Sequence, residues 1–426
     1  MNKIKVNPNL KIRKESFGCI VLDLSNKEIN FYNKGAFDAF VILSKEVSYN
    51  DFMSNYKEED LSFVRSFVEN LKSSGKIEDS TGLDNDLYPD FYFFQENQFH
   101  ETHFASPLAV EIEPTLKCSR NCTYCCYESN PLVNTSKELS VTEWIDILIS
   151  LKDDGVFSIK FTGGDPLIKE GFFDILSAAD DLGFIITVGS DLTLFNESHA
   201  EKLSKLKNLL MVQTTLDGSN PNIADYNRGK GNFKKVIEGL VILRNYNIPF
   251  SAVTVVTSNN YNDIYNIGLL LEPYEPLGFD IGMLFDSGRA KEMNKESFPT
   301  IEQIKAATLD YSELINNGIV NSINKAFTFN LEKLNTNQLT DYFLEQNRIQ
   351  KSPESQLRID PMGRCYVSIT LKEKLQDDLY LGNLTNMSIR SIWNENETLN
   401  SLRNLSTSEN HYGKYFYLNE LKGVKS

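Results

Sequence analysis

The chain has 426 residues, with 58 Asp and Glu against 43 Lys and Arg, and a formal net charge of −15. That length exceeds one ordinary core and predicts two or three domains. The acidic balance argues against a non-specific nucleic-acid binder, whose affinity comes from neutralising phosphates. No apolar run is long enough to cross a bilayer, and Met1–Ser16 is basic but lacks the apolar stretch of a secretory signal. No nucleic-acid or membrane partner and a cytoplasmic location are the expectation. Six cysteines are too sparse for a disulfide scaffold.

In chain order, Phe17–Leu24 and Glu28–Tyr32 alternate as strands do, with Ser25 and Asn26 between them as turn residues. Ala36–Leu43, Tyr49–Tyr56 and Leu61–Leu71 then place apolar residues three and four apart, as amphipathic helices do. These elements predict a small α+β domain over residues 1–87. Residues 88–106 show no clean period and read as a linker. From Leu108 strand-like and helical stretches alternate, with strands at LAVEIEP, FSIKFTGG, FIITVGS, LLMVQTTLDG, FSAVTVVTSNN and FDIGMLFDSG. Six strands alternating with helical periods predict a parallel α/β sheet or barrel over residues 107–310, with its chemistry at the carboxyl ends of the strands. Over residues 311–426 the repeat stops. Leu331–Arg348 reads as a helix, QLRIDPMGRCYVSI as a hairpin turning at Pro361-Met362-Gly363, and SIRSIW as a short helix.

Four of the six cysteines fall within Lys117–Cys126, KCSRNCTYCC, directly after the first strand of the α/β region. Cys118, Cys122 and Cys125 form CxxxCxxC. A structural zinc site normally takes four protein ligands, and the side chain of Cys126 points away from its neighbour's. Three thiolates on a short loop suit an iron–sulfur cube whose fourth iron is left open. A zinc site completed by a distant residue, or a chance cluster of buried thiols, is the competing reading.

This loop, with Thr115 ahead of it and Tyr124 before the third cysteine, resembles the radical S-adenosylmethionine (radical SAM) superfamily. The resemblance implies one 4Fe–4S cluster on Cys118, Cys122 and Cys125, with SAM chelating the open iron. It also implies an electron donor such as flavodoxin or ferredoxin, and a partial (β/α)6 TIM-like barrel. Gly163, Gly164, Asp165 and Pro166 stand where the family has Gly-Gly-Glu-Pro near the SAM amino group, with a shorter carboxylate here. Thr214–Gly218, TTLDG, resembles a Ser-Leu-Asp-Gly segment, so Thr215 and Asp217 are expected to contribute SAM or ribose contacts. Arg228, followed by Gly229, resembles the arginine that pairs the SAM carboxylate, and Ser190 stands near the expected ribose position. Ser287–Ala290, SGRA, completes the resemblance, which runs from about residue 105 to 300.

The flanks resemble those of enzymes that mature ribosomally made peptides. Residues 1–87 resemble a RiPP recognition element, a winged-helix-like α+β domain. The resemblance implies capture of a precursor's leader peptide by strand addition, with Glu28–Tyr32 as the receiving strand. Residues 311–426 resemble a small α+β SPASM or twitch domain, but its cluster cysteines are missing: Ser368 stands at the usual ligand position and Cys365 three residues before it. The expectation is a peptide-modifying radical SAM enzyme with one cluster. Epimerisation would use Cys365, or else Cys126, as the thiol that returns hydrogen. Thioether or carbon–carbon crosslinking and a non-catalytic peptide-binding protein are the alternatives.

Overall fold

The computed structural model describes residues 3–80, 89–93, 103–284, 286–322, 356–367 and 380–400. The expected helix over Leu331–Arg348, and Ser368, lie outside these residues.

The amino-terminal region forms two small sheets and three helices. Its elements are β1 (Lys3–Val6), β2 (Leu10–Glu15), β3 (Gly18–Asp23), β4 (Glu28–Asn33), α1 (Lys34–Leu43), β5 (Val47–Ser48), α2 (Tyr49–Met53), α3 (Leu61–Ser73), β6 (Ile77–Ser80) and β7 (Asp90–Tyr92). One sheet has the order β5-β1-β6 and the other β4-β3-β2-β7. β3 and β4 pair in register over six residues, so the turn at Ser25-Asn26 falls where the sequence places it. The expected linker does not stay outside: β7 lies within it and pairs parallel to β2. One face of β2 and β3 (Leu10, Ile12, Cys19, Val21) packs on Phe37, Phe40 and Leu43 of α1 and on Val64, Val68 and Leu71 of α3.

The large sheet holds β8 (Ala109–Thr115), β9 (Ser158–Gly163), β10 (Ile185–Gly189), β11 (Leu209–Thr215), β12 (Phe250–Val256) and β13 (Gly278–Met283). These six are parallel and lie in sequence order. The intervening helices are α4 (Val141–Asp153), α5 (Phe172–Asp181), α6 (Glu197–Leu203), α7 (Pro221–Arg228), α8 (Asn232–Asn245) and α9 (Ile264–Leu271), and α10 (Ile301–Asn316) follows β13. Val110, Ile112, Ile159, Phe161, Ile186 and Val188 alternate onto the helix-covered face, where they join Trp144, Leu148, Phe172 and Leu176 in one core. Glu111, Glu113 and Lys160 fall on the other face.

The carboxy-terminal strands β14 (Gln356–Ile359), β15 (Arg364–Tyr366) and β16 (Tyr380–Asn383) extend this same sheet beyond β8. β14 pairs parallel to β8, and β15 and β16 follow antiparallel. With α11 (Ile389–Glu395) they join the main core through Leu357, Ile359, Leu381 and Trp393. The expected boundary at residue 310 therefore cuts through α10, and it divides a continuous sheet.

Candidate active site

The cysteine loop leaves the carboxyl end of β8 and is framed by hydrogen bonds from the surrounding chain. Thr115 Oγ1 (2.7 Å) and Leu116 N (3.2 Å) both donate to Glu138, which also pairs with Lys169 at 3.3 Å. Past the loop, Ser140 and Glu143 form a capping box that fixes where α4 begins. Gly163-Gly164 closes over the start of the loop: Gly164 N donates to Thr115 O at 2.9 Å, and a Cβ on Gly164 would lie 2.0 Å from Lys117 O. Only glycine fits there. Arg289 ties the other side, donating from Nε to Cys122 O at 2.8 Å and from its terminal nitrogen to Ser129 O at 2.7 Å. Its backbone N reaches Cys125 O at 3.1 Å. Nothing in the local pattern of Ser287–Ala290 signals this task of Arg289, because its acceptors lie about 160 residues earlier in the chain.

Cys118, Cys122 and Cys125 are all half-buried. Burial pushes the Cys118 thiol up to about 12, and it raises Cys122 too, with the Arg228 charge working against it. Among the described residues, no three His, Cys, Asp or Glu side chains stand close enough to hold one metal ion. Each thiolate of an iron–sulfur cube binds its own iron, so its ligands stand farther apart than the roughly 4 Å between sulfurs around a single zinc. The donor set, three thiols on one short loop, fits the cube, and Cys118, Cys122 and Cys125 would hold it.

Around the loop the polar residues meet in pairs. Ser190 Oγ donates to Asp165 Oδ2 at 2.9 Å, and Leu167 N donates to Asp165 Oδ1 at 3.0 Å. Burial first, and then the Asp191 charge, push the Asp165 carboxyl up to about 8. A buried acid with an acidic neighbour favours a cation in this place. Asp217 differs from expectation. Both of its oxygens are committed, Oδ1 to Val255 N (2.9 Å) and Oδ2 to Arg228 Nε (2.5 Å) and the Tyr124 hydroxyl. With Asp217 2% exposed and Arg228 8% exposed, the pair is part of the frame beside the loop. The Arg228 guanidinium also lies over the Tyr124 ring, 5.5 Å from its centroid. Thr215 ends β11 half-buried, on the same strand face as Gln213, which accepts from Lys160 at 2.6 Å.

The two candidate thiols part company. Cys365 is fully buried and belongs to the core with Leu357, Ile359 and Trp393. It pairs with Ile359 across the hairpin, whereas Arg358 and Tyr366 face the other way. Arg358 meets Glu113 at 2.8 Å, and its guanidinium lies 4.6 Å from the centre of the Tyr366 ring. The expectation that Cys365 looks onto the substrate is therefore corrected: strand alternation turns it toward the helices. Cys126 is half-buried at the end of the loop, where it feels the charges of Glu113 and Glu111, and Tyr127 donates to Glu111 at 2.9 Å.

A cysteine loop at the carboxyl end of the first parallel strand, framed by a Gly-Gly turn and a buried Asp–Arg pair, is the architecture of a radical SAM domain. Residues 112–271 match the Radical SAM superfamily, and this part of the chain is such a domain, whose cofactors are a 4Fe–4S cluster and SAM. Over 210 residues the chain is 27% identical to the PqqA peptide cyclase of Bradyrhizobium diazoefficiens, covering 48% of this chain and 54% of that protein. It is 26% identical over 210 residues to the sporulation killing factor maturation protein SkfB of Bacillus subtilis, covering 49% and 48%. The chain thus spans about half the length of the curated relatives it matches. The crystal structure of Streptococcus suis SuiB bound to precursor peptide SuiA superposes with a TM-score of 0.70 at 15% identity, over 95% of this chain and 90% of that one. At that identity the likeness is one of fold.

Proposed function

We propose that this chain is a radical SAM enzyme that modifies a ribosomally made precursor peptide. The observation that carries the reading is the framed three-cysteine loop, with Asp165–Ser190 and Asp217–Arg228 set around it. When bound, the cluster and SAM supply a 5′-deoxyadenosyl radical that takes hydrogen from carbon. The chain's own residues hold the loop, place SAM between the Gly-Gly turn and Thr215, and keep water from the reacting carbon. One curated relative is named a peptide cyclase and the other a maturation protein, and the solved neighbour was crystallised with a precursor peptide. We read the amino-terminal region as a winged-helix-like leader-binding domain. Among the described residues β4 is an edge strand, whose outer side can take up an extended peptide. The electron donor is a flavodoxin or ferredoxin in this reading.

Within that class we favour epimerisation, in which one hydrogen leaves a Cα and another returns from the opposite face. The redox balance is neutral. Beyond the cluster set the chain has Cys19, Cys126 and Cys365. Cys19 and Cys365 lie buried in separate cores, too dispersed to hold a second cube with Cys126. In this reading Cys126, half-buried at the end of the cysteine loop, is the thiol that returns hydrogen. The similarity to a peptide cyclase supports crosslinking as the second reading. The mass of the modified precursor after turnover in heavy water decides between them. One deuteron gained is the result expected for epimerisation; a loss of two hydrogens means crosslinking.

A further inference from the structure

The leader-binding reading has a geometric consequence that depends on where the amino-terminal sheet is fixed. Ile20 and Leu22 of β3, with Phe31 of β4, pack on Leu108, Phe157 and Ile185 in one apolar cluster. Those three partners stand just before or at the start of β8, β9 and β10, at the amino ends of the parallel strands. Three basic side chains reinforce the contact. Arg13 donates to Gly155 O (2.7 Å) and Pro107 O (3.1 Å), Lys11 to Leu182 O (2.8 Å) and Lys27 to Leu209 O (2.5 Å). Every acceptor lies on a segment entering the sheet from that same end. Leu182 and Gly155 also lie just past α5 and α4, where a cation is favoured by the helix dipole. Arg13 is fully buried and pairs with Glu15 at 2.8 Å, while Glu15 accepts from Ala105 N at 2.8 Å. The cysteine loop leaves the sheet at the opposite, carboxyl end.

We infer that the peptide is captured at one end of the molecule and modified at the other, so that its leader and its reacting residue must be separated by a spacer. This rests on the leader-binding reading above and adds a requirement to it. The seven residues of β8 alone cover roughly 20 Å at about 3.3 Å per residue. A peptide running from β4 to the cysteine loop therefore needs at least about seven extended residues. The amino-terminal region does not swing to shorten that path, because doing so would strip a buried ion pair and an apolar cluster into water.

Two measurements on the cluster-loaded full chain test this. Nitroxide labels on Ile29→Cys in β4, where Ile29 is 37% exposed, and on Leu132→Cys, six residues past Cys126, where Leu132 is 92% exposed, report the separation by pulsed dipolar spectroscopy. A single population beyond roughly 20 Å is expected; a population at half that distance overturns the fixed arrangement. The second probe is a precursor peptide that the reduced enzyme modifies, with residues deleted between its leader and its modified residue. Cutting the spacer below about seven residues should leave leader affinity unchanged and lower turnover more than tenfold; full turnover with the short spacer overturns the inference. If that precursor binds equally well when Ile29→Pro disrupts β4, the leader-binding reading fails instead, while the label distance still reports on the arrangement.

Discussion

At the scale of single residues, the Asp217–Arg228 pair separates framework from ligand contact. Arg228→Met leaves Asp217 as a buried carboxylate with its main partner gone, a loss that costs about 3–5 kcal/mol in comparable buried pairs. Thermal unfolding of the SAM-free protein should fall accordingly. An unchanged unfolding temperature with lost SAM affinity would instead make Arg228 a pure ligand contact. Asp165 yields a test in pH. Its folded value, about 8, lies above the ordinary aspartate value of 3.8 because burial and the Asp191 charge disfavour the carboxylate, so the folded chain holds this proton more tightly than the unfolded one. Its contribution to stability is fully present at low pH and is lost as the pH rises through about 8. The SAM-free protein should lose stability between about pH 4 and about pH 8 and level off above that, and Asp165→Asn should flatten that slope. Cys126→Ser should stop hydrogen return while SAM cleavage continues, because a hydroxyl holds its hydrogen far more tightly than a thiol does. Cys365→Ser should turn over and only lose stability, by about 1–3 kcal/mol if its buried hydroxyl finds no partner.

At the scale of elements, Arg289 shows what holds the cysteine loop in shape. Arg289→Met keeps all three cysteines but frees the carbonyls of Cys122 and Ser129. Iron retained after gel filtration should drop well below that of the unaltered chain, and full retention would show that the loop needs no such tie. The six parallel strands were legible because each is an apolar run ending in glycine or polar residues, and most helices between them carry a clear period. β1, β2, β5 and β6 escaped notice for a physical reason. They are short or carry charged residues, such as Lys11, Arg13 and Glu15, whose side chains are buried by tertiary partners rather than by local pattern. β7 was hidden inside an aromatic stretch without alternation. In the site, the cysteines and the Gly-Gly turn were readable from spacing. The mutual pairing of Asp217 with Arg228 was not, since eleven residues and a helix separate them. Nor was the inward turn of Cys365, which depends on the pairing of β14 with β8.

At the scale of the whole molecule, one sheet of nine strands runs from the radical SAM domain into the carboxy-terminal hairpin. The amino-terminal sheet closes the end remote from the cysteines. No helix among the described residues is long and apolar enough to cross a membrane. In the proposed reading the radical chemistry sits at the carboxyl end of β8, supported by the Cys118, Cys122 and Cys125 thiols. The most direct test of that claim is to reconstitute the chain anaerobically with iron and sulfide, reduce it with SAM present, and measure 5′-deoxyadenosine beside bound iron. About four irons per chain and steady 5′-deoxyadenosine formation are expected, with both lost in Cys118→Ala, Cys122→Ala and Cys125→Ala. Iron near twice that number, or a reduced, iron-loaded chain that leaves SAM intact, would contradict it.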